Sequence, residues 1–200
     1  MTPSPSKALP KLSAIALVLC LPLPAKAYDY PLSPNAIREA YFLGSRAVSL
    51  GHDFLAQYTH TIPALKVGRF MSGATLETPF SQVAVHASRT LGHSAQDAVK
   101  EFYDKPSLVR LHLNICYMID APENAVRIKV FQNKREVFPE SYDSSPYYPA
   151  TDEYTRMPSI GENVELEFKP DKIQSSTLLI VIDTPDGQHA ETTFDLAALR

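Results

Sequence analysis

The apolar positions change period once along the chain, near residue 106. Before that point they recur at three- and four-residue spacing, the repeat that places side chains on one face of a helix. Ser33-Pro34 offers a capping residue and a first-turn proline, and Ile37, Tyr41, Gly44 and Val48 follow as one stripe. Leu50, Phe54 and Tyr58 resume the pattern after Gly51, so the spacing predicts one broken helix or two short ones ending near Thr61. Leu65 to Thr75 reads as extended chain. Thr78-Pro79 repeats the cap-plus-proline device ahead of Phe80, Ala84, Ala87 and Leu91. Ser94, with Asp97 three residues on, then opens a further helix carrying Ala98, Val99 and Phe102.

From Ser107 onward the period is two. Val109, Leu111, Leu113, Ile115 and Tyr117 line one face of a strand, and Arg110, His112, Asn114 and Cys116 share the other. Val126, Ile128 and Val130 alternate with Arg127 and Lys129, and Val164, Leu166 and Phe168 alternate with Glu165 and Glu167. Leu178 to Ile182 is a continuous apolar run suited to a central strand, and Pro185-Asp186-Gly187 turns the chain into Thr192–Asp195. The predicted class is α+β, with N-terminal helices packed on or preceding an antiparallel β-sandwich. An immunoglobulin-like topology is one option, although a chain with no Trp lacks that fold's Cys…Trp…Cys hallmark. The expected division is a signal peptide at 1–27, a mainly helical region at 28–106 and a sandwich region at 107–200, the last two able to merge into one domain.

The first 27 residues stand apart from this pattern. Lys7 and Lys11 precede an apolar run from Leu12 to Leu23, and Ala25-Lys26-Ala27 supplies small residues at the last and third-last positions of a cleavage site. The run is short for a spanning helix, which needs about 20 apolar residues. Pro22 and Pro24 also interrupt it. Cleavage after Ala27 is therefore expected, leaving an exported protein, periplasmic or secreted, with no integral span. Loss of Lys7, Lys11 and Lys26 takes the formal net charge from −3 to −6. With no basic stripe in the remainder, nucleic acid is set aside as a partner. Loss of Cys20 leaves Cys116 as the single cysteine, so no internal disulfide can form.

Four patches carry a resemblance: Pro31 to Gly44 (PLSPNAIREAYFLG), Thr78 to Val83 (TPFSQV), Ser94 to Ala98 (SAQDA) and Phe194 to Arg200 (FDLAALR). In these the chain resembles a group of uncharacterised exported bacterial proteins. The resemblance implies export and a bacterial envelope setting, and it carries over no activity and no catalytic residue.

Candidate chemistry is sparse. The sequence has no nucleophile elbow, phosphate-binding glycine loop, His-Glu-x-x-His or Cys-x-x-Cys, so no catalytic residue, metal ligand or cofactor is assigned. His189-Ala-Glu191 matches half of a zinc deaminase signature without its cysteines. His52, His60, His86 and His93 all fall in the helical half. On a continuous helix, however, His86 and His93 would stand about two turns apart, too far to share an ion. The most unusual stretch is Phe138 to Pro158, where Tyr142, Tyr147, Tyr148 and Tyr154 are interleaved with four prolines between predicted strands. Exposed tyrosines give rigid contact area at low entropic cost. The leading expectation is thus a non-catalytic binding module that offers this loop to an envelope protein, peptide or glycan. A metal-dependent or hydrolytic enzyme using the helical-region histidines is the second reading, and a self-associating structural subunit the third.

Overall fold

A computed structural model of the chain describes residues 28–46, 54–62, 72–118, 126–147 and 159–200. Helix α1 (Pro34–Arg46) starts where the Ser33 hydroxyl accepts the Ala36 amide at 3.1 Å. It turns Ala36, Ile37, Ala40 and Gly44 inward. One helical turn at 54–56 leads into β1 (Thr59–Ile62), which pairs antiparallel with β2 (Ser72–Glu77). Helix α2 (Pro79–Arg89) is capped by Thr78, whose hydroxyl accepts the Ser81 amide at 3.2 Å. A reciprocal box between Ser94 and Asp97 opens α3 (Ala95–Asp104). The strands that follow are β3 (Val109–Met118), β4 (Arg127–Gln132), β5 (Arg135–Glu136), β6 (Ser141–Tyr147), β7 (Ser159–Phe168), β8 (Thr177–Asp183) and β9 (His189–Asp195).

The strands form two antiparallel sheets, one in the order β1-β2-β3-β7-β6 and one in the order β5-β4-β8-β9. Leu111 opposes Leu166 and Leu76 within the first sheet, and Ile180 opposes Val130 and Thr192 within the second. Their inward side chains, with Ile115, Phe168, Leu178 and Phe194, belong to a single apolar core. The α+β class is therefore as the patterning indicates. The three helices pack where β2 hands the chain to β3, around a second, smaller core of Leu32, Ile37, Phe80 and alanines. Phe54 packs against both cores. Arg200 ties the layers together: its carbonyl accepts the hydroxyls of Tyr58 and Thr78, and its guanidinium grips both oxygens of Glu39 at 2.6 and 2.9 Å above the Phe80 ring.

Several expectations change. Thr59–Ile62 is a strand instead of a helix end, since its β-branched residues suit a sheet and Ile62 reaches the sandwich core. The stripe on α2 stops before Leu91, which is 99% exposed because the helix ends at Arg89. The first part of the predicted 138–158 connection is strand β6, paired with β7 from Ser141 opposite Glu167 to Tyr147 opposite Gly161. Its polar sequence hides the period because it is an edge strand. Pro146, lacking an amide proton, is tolerated at such an edge. Val48, Leu50 and Leu65 to Met71 lie outside the described residues.

Candidate functional site

Helices α2 and α3 carry the main cluster of ionisable side chains in the cap. His86 stands on the last turn of α2, where the Thr90 amide donates to its carbonyl at 3.1 Å. Past Arg89 the chain reverses through Gly92, whose φ of +82° is a conformation glycine adopts without a Cβ penalty. The reversal places His93 just ahead of the Ser94 cap and beside His86, their ring centres 5.8 Å apart at 76°. The Tyr41 hydroxyl of α1 donates to the His93 carbonyl and fixes this turn.

Glu101, on the facing side of α3, completes the group. Its Oε2 lies 3.4 Å from His86 Nε2 and 3.8 Å from His93 Nδ1, while its Oε1 takes the Lys105 ammonium at 2.5 Å. The Lys105 hydrogen bond is the largest cause holding the Glu101 carboxyl below its ordinary range; desolvation opposes it, and the charges of His86, Lys105 and His93 add to it. These three side chains border a cleft of about 210 Å³ with Val83, Ala87, Ala98 and Phe102 in its walls and Arg110 at its sheet end. Arg110 is itself held by Glu167 at 3.0 Å and Glu165 at 3.7 Å.

The other histidines sit in different settings. His60 stacks on Phe194, ring centres 4.1 Å apart, and its Nδ1 meets the Thr192 hydroxyl at 2.9 Å, so it joins β1 to β9 across the two sheets. His112 lies between Glu77 and Glu165 on the outer sheet face, at 3.6 Å from each. His189, the half-motif histidine, is on β9 in ion pairs with Asp183 and Glu191. His52 lies outside the described residues.

Of the four tyrosines singled out in the sequence, Tyr142 is on the edge strand β6 and is 52% exposed, with the exposed Phe138 preceding the strand. Tyr147 is the last residue of β6, and Tyr148 and Tyr154 lie outside the described residues. The structure thus places Tyr142 on a sheet edge.

His86 and His93 would stand about two turns apart only if one helix ran through both, and α2 ends at Arg89. A signal against such a helix is present in the sequence. Gly92 is a helix terminator, and Ser94 with Asp97 opens a new helix, so His93 must lie in the turn between them. Glu101 carries no such signal, being one of many acids in the chain. No family model matches the sequence, and no curated protein matches it.

Proposed function

We propose that this is an exported binding protein of the bacterial envelope whose ligand enters the cleft of the helical cap. The observation that carries the reading is the convergence of His86, His93 and Glu101 from a helix end, a turn and a second helix at the rim of a partly apolar cleft. Convergent polar groups over apolar walls are the usual make-up of a ligand site. At about 210 Å³ the cleft is below the roughly 300–1,000 Å³ of a site for a drug-sized ligand, a size that suits a small molecule or one small group of a larger envelope ligand. Export rests on the N-terminal segment, and no helix among the described residues is long and apolar enough to cross a membrane.

We read the sandwich as immunoglobulin-type, supported by its ladders: β2-β3-β7-β6 corresponds to the A-B-E-D order and β5-β4-β8-β9 to C′-C-F-G. A second binding surface on the β6 edge is favoured by one observation, the exposure of two large aromatic residues, Phe138 and Tyr142, within five residues of chain.

The test expresses the full chain in its native host, crosslinks in the intact envelope and compares the parent with Ser107→Trp, which fills the cleft from its lining loop, and with Tyr142→Ser. N-terminal sequencing of the same material should begin at Tyr28. An adduct that maps to the cleft and disappears only with Ser107→Trp supports the cleft. Loss only with Tyr142→Ser moves the site to the β6 edge, and no adduct with any form overturns the binding reading.

A further inference from the structure

We propose that His86, His93 and Glu101 bind one divalent transition-metal ion of the zinc class at the mouth of the cleft. The inference rests on reading the cleft as a ligand site and deepens it by placing a metal ion beside the ligand that the cleft takes.

The three donor atoms all lie within 4.8 Å of one another. Ligands about 2.0–2.1 Å from a tetrahedral zinc ion stand roughly 3.4 Å apart. The two distances from Glu101 Oε2, 3.4 Å to His86 Nε2 and 3.8 Å to His93 Nδ1, are near that spacing. Both exceed the roughly 2.7–3.2 Å of a well-formed nitrogen–oxygen hydrogen bond. The donors therefore converge without satisfying one another, and the Thr90 hydroxyl, 3.4 Å from His86 Nε2, also lies beyond that length, an arrangement that an ion between the three donors would complete.

Two imidazoles and a carboxylate form a borderline donor set, matched to zinc and its neighbours, whereas magnesium and calcium favour oxygen ligands throughout. Lys105 acts as a positioning residue: by holding Glu101 Oε1 at 2.5 Å it turns Oε2 toward the imidazoles. Both histidines are partly open to solvent, so an ion can enter and keep a coordination position for water or a small anion. The other histidine–carboxylate groups among the described residues lack this geometry. Of the two carboxylates beside His112, Glu165 is already paired with Arg110, and His189 makes a hydrogen-bond-length ion pair with Asp183 at 2.7 Å.

The test uses untagged protein purified from cells expressing the full chain, stripped with a chelator and titrated with Zn²⁺ by calorimetry, with Co²⁺ absorption as a second readout. One ion per chain is expected, with the visible bands of a low-coordinate cobalt site. His86→Ala, His93→Ala and Glu101→Gln should each weaken zinc binding by at least about tenfold. Lys105→Met should weaken it less, and His189→Ala should leave it unchanged. Circular dichroism of the stripped variants checks folding. Should a variant fail to fold, zinc-induced shifts of the wild-type imidazole signals decide by showing whether two histidines or none are bound. Zinc binding by the parent no tighter than by a variant combining His86→Ala, His93→Ala and Glu101→Gln overturns the site. If that occurs while Ser107→Trp still abolishes the envelope adduct, the cleft reading stands and the metal inference alone falls. Zinc binding without any adduct gives the reverse.

Discussion

Between the sheets the core is built from Leu111, Leu113, Ile115, Leu166, Phe168, Leu178, Ile180 and Phe194, whereas between the helices it consists largely of Ala36, Ala40, Ala84 and Ala98 around Ile37 and Phe80. The difference follows from layer spacing. Facing sheets stand about 10 Å apart and need large side chains to fill the gap. Helices α1 and α2 approach until a Cβ on Gly44 would lie 2.0 Å from the Ala84 carbonyl oxygen, which leaves no room for any side chain. The sandwich therefore draws its stability from buried area. The cap relies on its N-caps, on close backbone approach and on the Arg200 tie. A region with less buried apolar surface is also the one better able to rearrange around a ligand, and the His86–His93–Glu101 group sits there.

The largest loss of stability is expected in the sandwich. Phe168→Ala removes a fully buried ring and should cost about 3–5 kcal/mol in denaturant-induced unfolding. Gly44→Ala should cost about 1–3 kcal/mol by forcing α1 away from α2. Amide exchange should then quicken in α1 while β3 keeps its protection; equal loss in both would mean that cap and sandwich unfold as one unit. Thr78→Ala leaves the Ser81 amide without its cap and should cost about 1 kcal/mol. Thr78→Ser should restore most of that loss.

The smallest effect concerns pH. Burial alone would raise the Glu77 carboxyl, but the close His112 imidazole and the charges of His112, Arg110 and Arg89 outweigh it and hold the carboxyl below its ordinary 4.5. His112 is raised above its ordinary 6.5, first by the close contact with the Glu77 carboxylate, with burial and Arg110 opposing and the charges of Glu77 and Glu165 assisting. The Glu77 contribution is present above pH 4.5 and lost as pH falls through its lowered value. The His112 contribution is present below pH 6.5 and lost as pH rises through its raised value. His112→Gln should therefore lower stability most between these limits and match the parent at alkaline pH. Partial exposure of the pair keeps the effect under about 1 kcal/mol. A difference that persists unchanged at high pH would show that His112 acts through packing.

Much of the scaffold can be read from local pattern. Val109 to Tyr117 alternates because each second side chain faces the core, and the caps at Ser33, Thr78 and Ser94 mark the helix starts because their hydroxyls satisfy amides that the helix cannot. Strands β1 and β6 are harder to read. Four residues are too few to show a period, and an edge strand with an exposed outer face needs little apolar alternation. The candidate site is half legible. Gly92 and Ser94 separate His86 from His93 into different elements, but nothing local pairs either with Glu101 or with Tyr41.

What the sequence determined by itself was the set of elements with strong local periodicity or caps, the α+β class that follows from them, and the separation of an N-terminal apolar segment from the rest. Capping, turn chemistry and alternation act over a few residues and so leave their mark there. The order of strands in each sheet, the close contact at Gly44 and the meeting of His86, His93 and Glu101 were decided only in the tertiary structure. Each depends on how far one element lies from another. That distance is set by the side chains packed between them, which no short stretch of sequence contains.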